Sequence, residues 1–401
     1  MEGVVEALRR NRFRKGKENE SFLKLFVSKR LIQGASTAML SVFLPIFLYE
    51  ITDRVFFLVG VYYAAISLLY VLFLAPGMKV VNKIGFSHSL VVGGVLSVVM
   101  NTLLFFLSPE NAHNLFIPIM FAMVGYWIFH WVPFHVDFAL FSTHENRGRQ
   151  VSLSMATIAF MGAVGPILAG FIVANAGYQA LFGVCIALLI AATVSYAMVP
   201  ETSTKFVWSI RHTWRQLFHK KYRPIVIGEF ANGAERIVNI VVWPIFLFEI
   251  LNGNVLEIGF VSTIVVAVTV AVQLFLGKHL DKHVGSMKNS LKYGSWLYAI
   301  GWIIKIFVLS TVQVFFVGLY HNIVRIFART PFMAIIYDMS AEQGKYVDEV
   351  TVLREMAHHL GRATSLLAIA VLAVFMPIAY TFVIAAAASI AINLIYNTQK
   401  D

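Results

Sequence analysis

The sequence predicts an all-α polytopic membrane protein, with twelve spanning helices arranged as two parallel six-helix repeats. Three observations lead there. Of the 401 residues, 59% are hydrophobic and 13% charged, against about 45–50% and about 25% in soluble chains. Apolar runs able to cross a bilayer, about 20 residues each, recur along the chain, and at about 33 residues per span and connection its length holds twelve. One stretch of the first half also returns in the second.

Taken in order, a basic tail (1–27) leads into spans near 28–49, 55–76, 88–108, 114–138, 152–174 and 179–199, which make a first bundle over 28–199. A polar, basic linker (200–224) follows. The second bundle, 225–396, holds spans near 225–250, 256–277, 289–309, 313–336, 353–375 and 378–396, and 397–401 form a short C-terminus. Gly, Pro or charge punctuates each run. Most of the 32 Lys and Arg fall in the tail, the even-numbered connections or the C-terminus, and Arg54 alone in an odd-numbered connection. Basic segments stay on the cytoplasmic side, so both termini are expected there, in a prokaryotic cytoplasmic membrane. The net charge of +11 is then a topology signal, and the tail's Arg9, Arg10, Arg12, Arg14, Lys15 and Lys17 suit anionic headgroups better than nucleic acid. Glu2, Glu6, Glu18 and Glu20 interrupt that tail, and no short apolar core with a small-residue cleavage site precedes span 1, so no cleaved leader is expected. The lone Cys185 excludes a disulfide framework and a multi-cysteine metal site.

The repeat runs from Gln33-Gly34-Ala35 through Leu44-Pro45-Ile46-Phe47-Leu48-Tyr49-Glu50-Ile51, and returns as Asn232-Gly233-Ala234 through Trp243-Pro244-Ile245-Phe246-Leu247-Phe248-Glu249-Ile250, an offset of 199 residues. Gly60 and Gly259, and Asn82-Lys83 and Asp281-Lys282, keep it. An offset of six spans, an even number, gives the halves one orientation, related by an axis along the membrane normal.

The loop after span 2, Asn82-Lys83-Ile84-Gly85, and that after span 8, Gly277-Lys278-His279-Leu280-Asp281-Lys282-His283-Val284-Gly285, resemble the Gly-x-x-x-Asp-Arg-x-Gly signature of the major facilitator superfamily. Gly165-Pro166-Ile167-Leu168-Ala169-Gly170 in span 5 is similar to that family's Gly-Pro-x-x-Gly-Gly element, and Val199-Pro200-Glu201-Thr202 ends span 6 in a familiar way. The resemblance covers nearly the whole chain. It implies a secondary transporter in which two bundles rock about a central cavity by alternating access, with Asn82, Lys83, Asp281 and Lys282 gating. Asp137, near the end of span 4, reads as a helix-end or gating residue. Gly165 permits close helix approach and Pro166 bends span 5. The chain departs from the pattern at Met78 and Asn82, where Gly and Asp are expected, and span 4 around Gly125, Tyr126 and Trp127 lacks the Arg of proton-driven exporters.

Ionisable side chains inside a bilayer cost at least about 2.5–3.5 kcal/mol each and mark functional sites. Span 7 carries Glu229, Asn232, Glu235, Arg236 and Asn239, span 10 His321, Arg325 and Arg329, and span 11 Thr351, Glu355, His358, Arg362 and Ser365, all at intervals close to the helical repeat. Arg236, Arg325 and Arg362 outnumber Glu235 near mid-membrane, and guanidinium forks suit carboxylate or phosphate. Substrate contacts are therefore expected from Arg236, Arg325, Arg329, Arg362, Asn232 and Asn239, and the substrate is expected to be a small organic anion. The alternative is that Glu235 pairs with one Arg across helices while the others snorkel or cap carbonyls. The first half offers Gln33, Ser36, Thr37, Tyr62, Tyr63, Tyr126, His130 and Trp131, which supply shape and stacking; Gln33, Tyr126 and His130 are the candidates there. Proton coupling falls to Glu235, Glu355 and Glu229, with His358 and His359 able to relay protons. Glu355-x-x-His358-His359 has no evident third ligand, so neither metal nor catalysis is expected. No phosphate-binding Gly-x-x-x-x-Gly-Lys-Ser loop appears, so ATP drive and other cofactors are not expected. A monomer in the lipid bilayer is expected. Two rival readings remain open: an exporter of amphipathic or cationic drugs, and a non-transporting sensor or scaffold.

Overall fold

The computed structural model describes residues 23–141, 147–201, 206–280, 287–341 and 346–397. Among these the regular elements are helices, with no strand. Inside lipid a chain satisfies its backbone polar groups only by helix or closed barrel, and long apolar runs without period-two alternation select the helix.

A π-helical turn, Val27–Gln33, leads into α1 (Gly34–Ile51), followed by α2 (Phe56–Ile84), α3 (Phe86–Phe106), α4 (Ala112–Phe141) and α5 (Arg147–Tyr196). Spans 5 and 6 are the two arms of α5, which turns at Gly177, where φ is 76° and ψ 176°. That positive φ suits Gly alone. The linker holds an amphipathic helix, α6 (Ile210–Leu217), capped by the Ser209 hydroxyl, which accepts from the His212 N–H at 3.1 Å. Span 7 is α7 (Arg223–Ile237) joined through a π turn, Val238–Val242, to α8 (Trp243–Ile250). Then come α9 (Val255–Leu280), α10 (Met287–Lys305), α11 (Thr311–Ala341), α12 (Val347–Leu372), a 3-10 turn at Ile378–Thr381, α13 (Phe382–Ala391) and α14 (Leu394–Asn397).

Among the described residues, seven stretches are long and apolar enough to cross a membrane: α1, α2, α3, α9 as far as Gln273, and parts of α4, α5 and α11. The charged residues on α7, α10 and α12 and the shortness of α13 set those helices apart. Side chains such as Leu72, Phe106, Phe171 and Val194 point outward, giving the bundle an apolar exterior.

The internal repeat is visible in the backbone. After α1, Asp53 and Arg54 take positive φ (52° and 60°), and after α8 the equivalent Asn252 and Gly253 do the same (50° and 77°). The hydrogen bonds match too: Arg54 N–H to Tyr49 C=O and Gly253 N–H to Phe248 C=O are both 2.8 Å. Two hairpins 199 residues apart thus share one turn.

Contacts between the halves run mainly along α2 with α12 and α5 with α9. They tighten at the face bearing these hairpins. A Cβ on Gly60 would lie 2.8 Å from Ala370 Cβ, and Gly170 and Gly259 face each other beside the Pro166 and Val255 carbonyls. The Tyr49 hydroxyl donates to Glu249 Oε1 at 2.5 Å across the same face, beside a cavity of about 480 Å³. At the opposite face the linker crosses the bundle.

Candidate functional site

The site is built on the crossing of α7 and α12. A Cβ on Gly233 would lie 1.9 Å from the His358 carbonyl oxygen, and one on Gly361 1.9 Å from that of Phe230. Two glycines, one per helix, therefore let the backbones touch, and the polar stripes mesh around them. Glu229, 4% exposed, accepts from Arg354 Nε at 3.0 Å and Nη2 at 2.9 Å, and from Asn232 Nδ2 at 2.9 Å. His358 Nδ1 stands 3.5 Å from its other oxygen. Arg354 was not among the residues expected from sequence. Its signal is the spacing of Arg354 and His358, four apart, on a line beside the expected Glu355–Arg362 stripe.

Around this knot lie the arginines. Arg236, Arg325, Arg329 and Arg362 are partly buried and, among the described residues, make no hydrogen bond or ion pair with protein. They do feel one another: Arg236 interacts electrostatically with Arg325 and Arg362, and Arg329 with Arg236 and Arg325. Glu235 does not pair with an Arg across helices; it is buried and accepts from the Tyr298 hydroxyl at 2.6 Å. Glu355 forms no ion pair within 4 Å among the described residues, yet lies in the field of Arg362, Arg236 and Arg354. Asn239 is partly buried in the π turn.

Behind Tyr298 stands a residue the stripes did not point to. Lys305, 1% exposed, holds its ammonium 4.0 Å from the Trp243 ring centroid and 4.1 Å from that of Trp302, within electrostatic reach of Glu235 and Arg325. Desolvated cation–π contacts of this kind are worth about 2 kcal/mol each. Its sequence signal was a Lys set inside the apolar run of span 9. His321 stacks between Tyr298 and Trp302, at 4.4 and 4.6 Å.

The first half meets this cluster with aromatic rings. His359 stacks on Tyr70 at 4.1 Å and lies 5.2 Å from Trp127, while the Arg362 guanidinium sits over Trp127 at 5.6 Å. Tyr70 and Trp127 of the first half meet α12 in this way. Gln33 instead bridges Tyr126, donating to its hydroxyl at 2.9 Å, and Tyr196, accepting at 2.5 Å. His130 stacks parallel to Phe134 and edge-on to Tyr196. Gln33 and His130 are fully buried in the first half and help to pack it.

At the linker face, Asn82 clamps the linker backbone: Nδ2 donates to the Phe206 C=O at 2.8 Å and Oδ1 accepts from its N–H at 3.3 Å. Next to it the Val207 N–H donates to buried Glu349 at 2.8 Å, so residues of α2 and α12 hold one strand of linker. An amide can satisfy both backbone groups at once, which the Asp expected at that position could not. Lys83 is exposed. Gly165 packs against Ala38 of α1, and the Pro166 carbonyl faces Gly259 of α9. Asp281, Lys282 and the side chain of Asp137 lie outside the described residues. Among the described residues no group of three His, Cys, Asp or Glu side chains could hold a metal ion.

Residues 30–228, about half of the chain, match the family model of the Major Facilitator Superfamily. No curated protein sequence matches the chain. Among solved structures it resembles a POT family transporter in complex with 5-aminolevulinic acid, with a TM-score of 0.69 and 11% identity over 94% of this chain and 95% of that one. It also resembles a mutant of the nucleoside transporter NupG, with a TM-score of 0.66 and 12% identity over 95% and 100% of the two chains. The repeated helices, the closely packed halves and these likenesses agree: the chain belongs to the major facilitator superfamily.

Proposed function

We propose that this protein is a secondary active transporter of a small organic anion, driven by protons and working by alternating access of two six-helix units, residues 28–199 and 225–396. The observation that carries the reading is the set of four guanidinium groups, Arg236, Arg325, Arg329 and Arg362, enclosed in a membrane bundle with no acceptor among the described residues. A buried guanidinium without a partner is costly, and an arriving carboxylate or phosphate supplies two parallel hydrogen bonds to each fork. In this reading all twelve expected helices span the membrane, the linker faces the cytoplasm, and the protein acts as a monomer in a prokaryotic cytoplasmic membrane.

Glu355 is the best placed proton carrier of the three carboxylates. Glu229 is held by Arg354 and Glu235 by Tyr298, whereas Glu355 is free to exchange a proton as the arginines gain or lose an anion. The rival reading, a cation exporter, has less support because Lys305 already occupies the faces of Trp243 and Trp302.

Uptake into proteoliposomes tests the anion reading. Arg325→Ala and Arg362→Ala should each reduce anion uptake by about two orders of magnitude, the loss of a charge-assisted fork, with the protein still folded. Undiminished uptake by both variants would end the proposal. Glu355→Gln should keep substrate exchange between equal pools but lose accumulation driven by a proton gradient; intact accumulation moves the coupling elsewhere.

A further inference from the structure

Three of the four arginines form a set of their own. Arg325 and Arg329 lie four apart on α11 and so project from one face, one turn from each other, and Arg236 approaches from α7. Arg236 exerts the strongest charge effect on Arg329, and Arg325 acts on both. Glu235, which accepts from the Tyr298 hydroxyl, offsets part of their charge and also lies within electrostatic reach of a further cation, Lys305. Arg362 is separate, stacked over Trp127 where the halves meet.

We propose that the transported anion carries a dianionic phosphate monoester, and that Arg236, Arg325 and Arg329 hold its terminal oxygens while the organic part extends towards Arg362, Tyr70 and Trp127. The inference rests on the anion reading above and narrows it. A carboxylate brings one negative charge and two oxygens, enough for one fork. Three forks offer many more donors and, with Glu235 beside them, a net excess of two positive charges. A phosphate monoester brings three terminal oxygens and nearly two charges above its second pKa, near 6, and so meets the set with both number and sign.

The test is thermal unfolding of purified full-length protein, with matched small anions, at a pH of about 8, where the monoester is a dianion. Methyl phosphate should raise the unfolding temperature at concentrations about tenfold lower than dimethyl phosphate, which keeps the shape but has one charge. Acetate and succinate should follow dimethyl phosphate. In Arg329→Ala the advantage of methyl phosphate should disappear. If dimethyl phosphate, acetate or succinate acts as well as methyl phosphate, the phosphate assignment is wrong while the anion reading stands. If the advantage survives in Arg329→Ala, the three arginines do not form the site. If none of the four anions stabilises the wild type, both readings fall.

Discussion

Glu229 and Arg354 show how a stripe residue can be held by a partner that spacing did not single out. Read as a stripe, Glu229 looks like a proton carrier; in the fold it is buried and accepts two hydrogen bonds from one guanidinium. Breaking such a pair from one side leaves a charge stranded, at a cost of about 3–5 kcal/mol, whereas replacing both partners costs much less. Arg354→Met should therefore lower the apparent melting temperature in detergent sharply, and adding Glu229→Gln should recover most of the loss. A double variant no more stable than the single one would show that the two residues do not act as a pair. Arg354 was hard to read in advance because residues 354, 355 and 358 lie on adjoining lines of one helix, and spacing alone does not say which line faces α7. The arginines were legible for a simpler reason: a guanidinium amid an apolar run has few physical excuses.

The helices followed from hydropathy, and the matching left-handed turns at Asp53-Arg54 and Asn252-Gly253 carry the repeat past the stretch where the two sequences agree. What the pattern could not show was how α7 and α12 meet, since that depends on Gly233 and Gly361 facing each other's backbone across 128 residues of chain. Small residues permit such close crossings in membranes, where packing rather than water drives helices together. Gly233→Ala and Gly361→Ala each put a methyl 1.9 Å from a carbonyl oxygen, so the helices must separate and the arginine cluster shifts with them. Each should cost stability on the order of 2–3 kcal/mol, as overpacking does, and weaken anion binding. Gly162→Ala is the control, because its nearest neighbour would be 3.9 Å away. Equal melting temperatures for Gly233→Ala and Gly162→Ala would rule out a close crossing.

For the whole molecule, the alternating access proposed above requires the closed face to be held by contacts weak enough to open. The hairpin face is built that way: glycine approaches at Gly60 and at Gly170 with Gly259, and one hydrogen bond from Tyr49 to Glu249. Repeat symmetry places Glu50 and Glu249 at equivalent positions, yet they serve different partners: Glu249 takes Tyr49 of the other half, while Glu50 lies within interaction range of Tyr178 in its own. The clasp is thus asymmetric, and removing one hydroxyl isolates it. A hydrogen bond to a carboxylate contributes about 1.5–3 kcal/mol, so Tyr49→Phe should shift the balance between closed and open faces by about tenfold or more. Spin labels placed at Val55 and Met376, on the rim of the cavity beside Tyr49, report that balance as a distance distribution. The variant should populate a longer distance than the wild type does without substrate. If its distribution is unchanged, that hydrogen bond does not clasp the face, and closure rests on the glycine approaches and on Arg54 over the Phe248 ring.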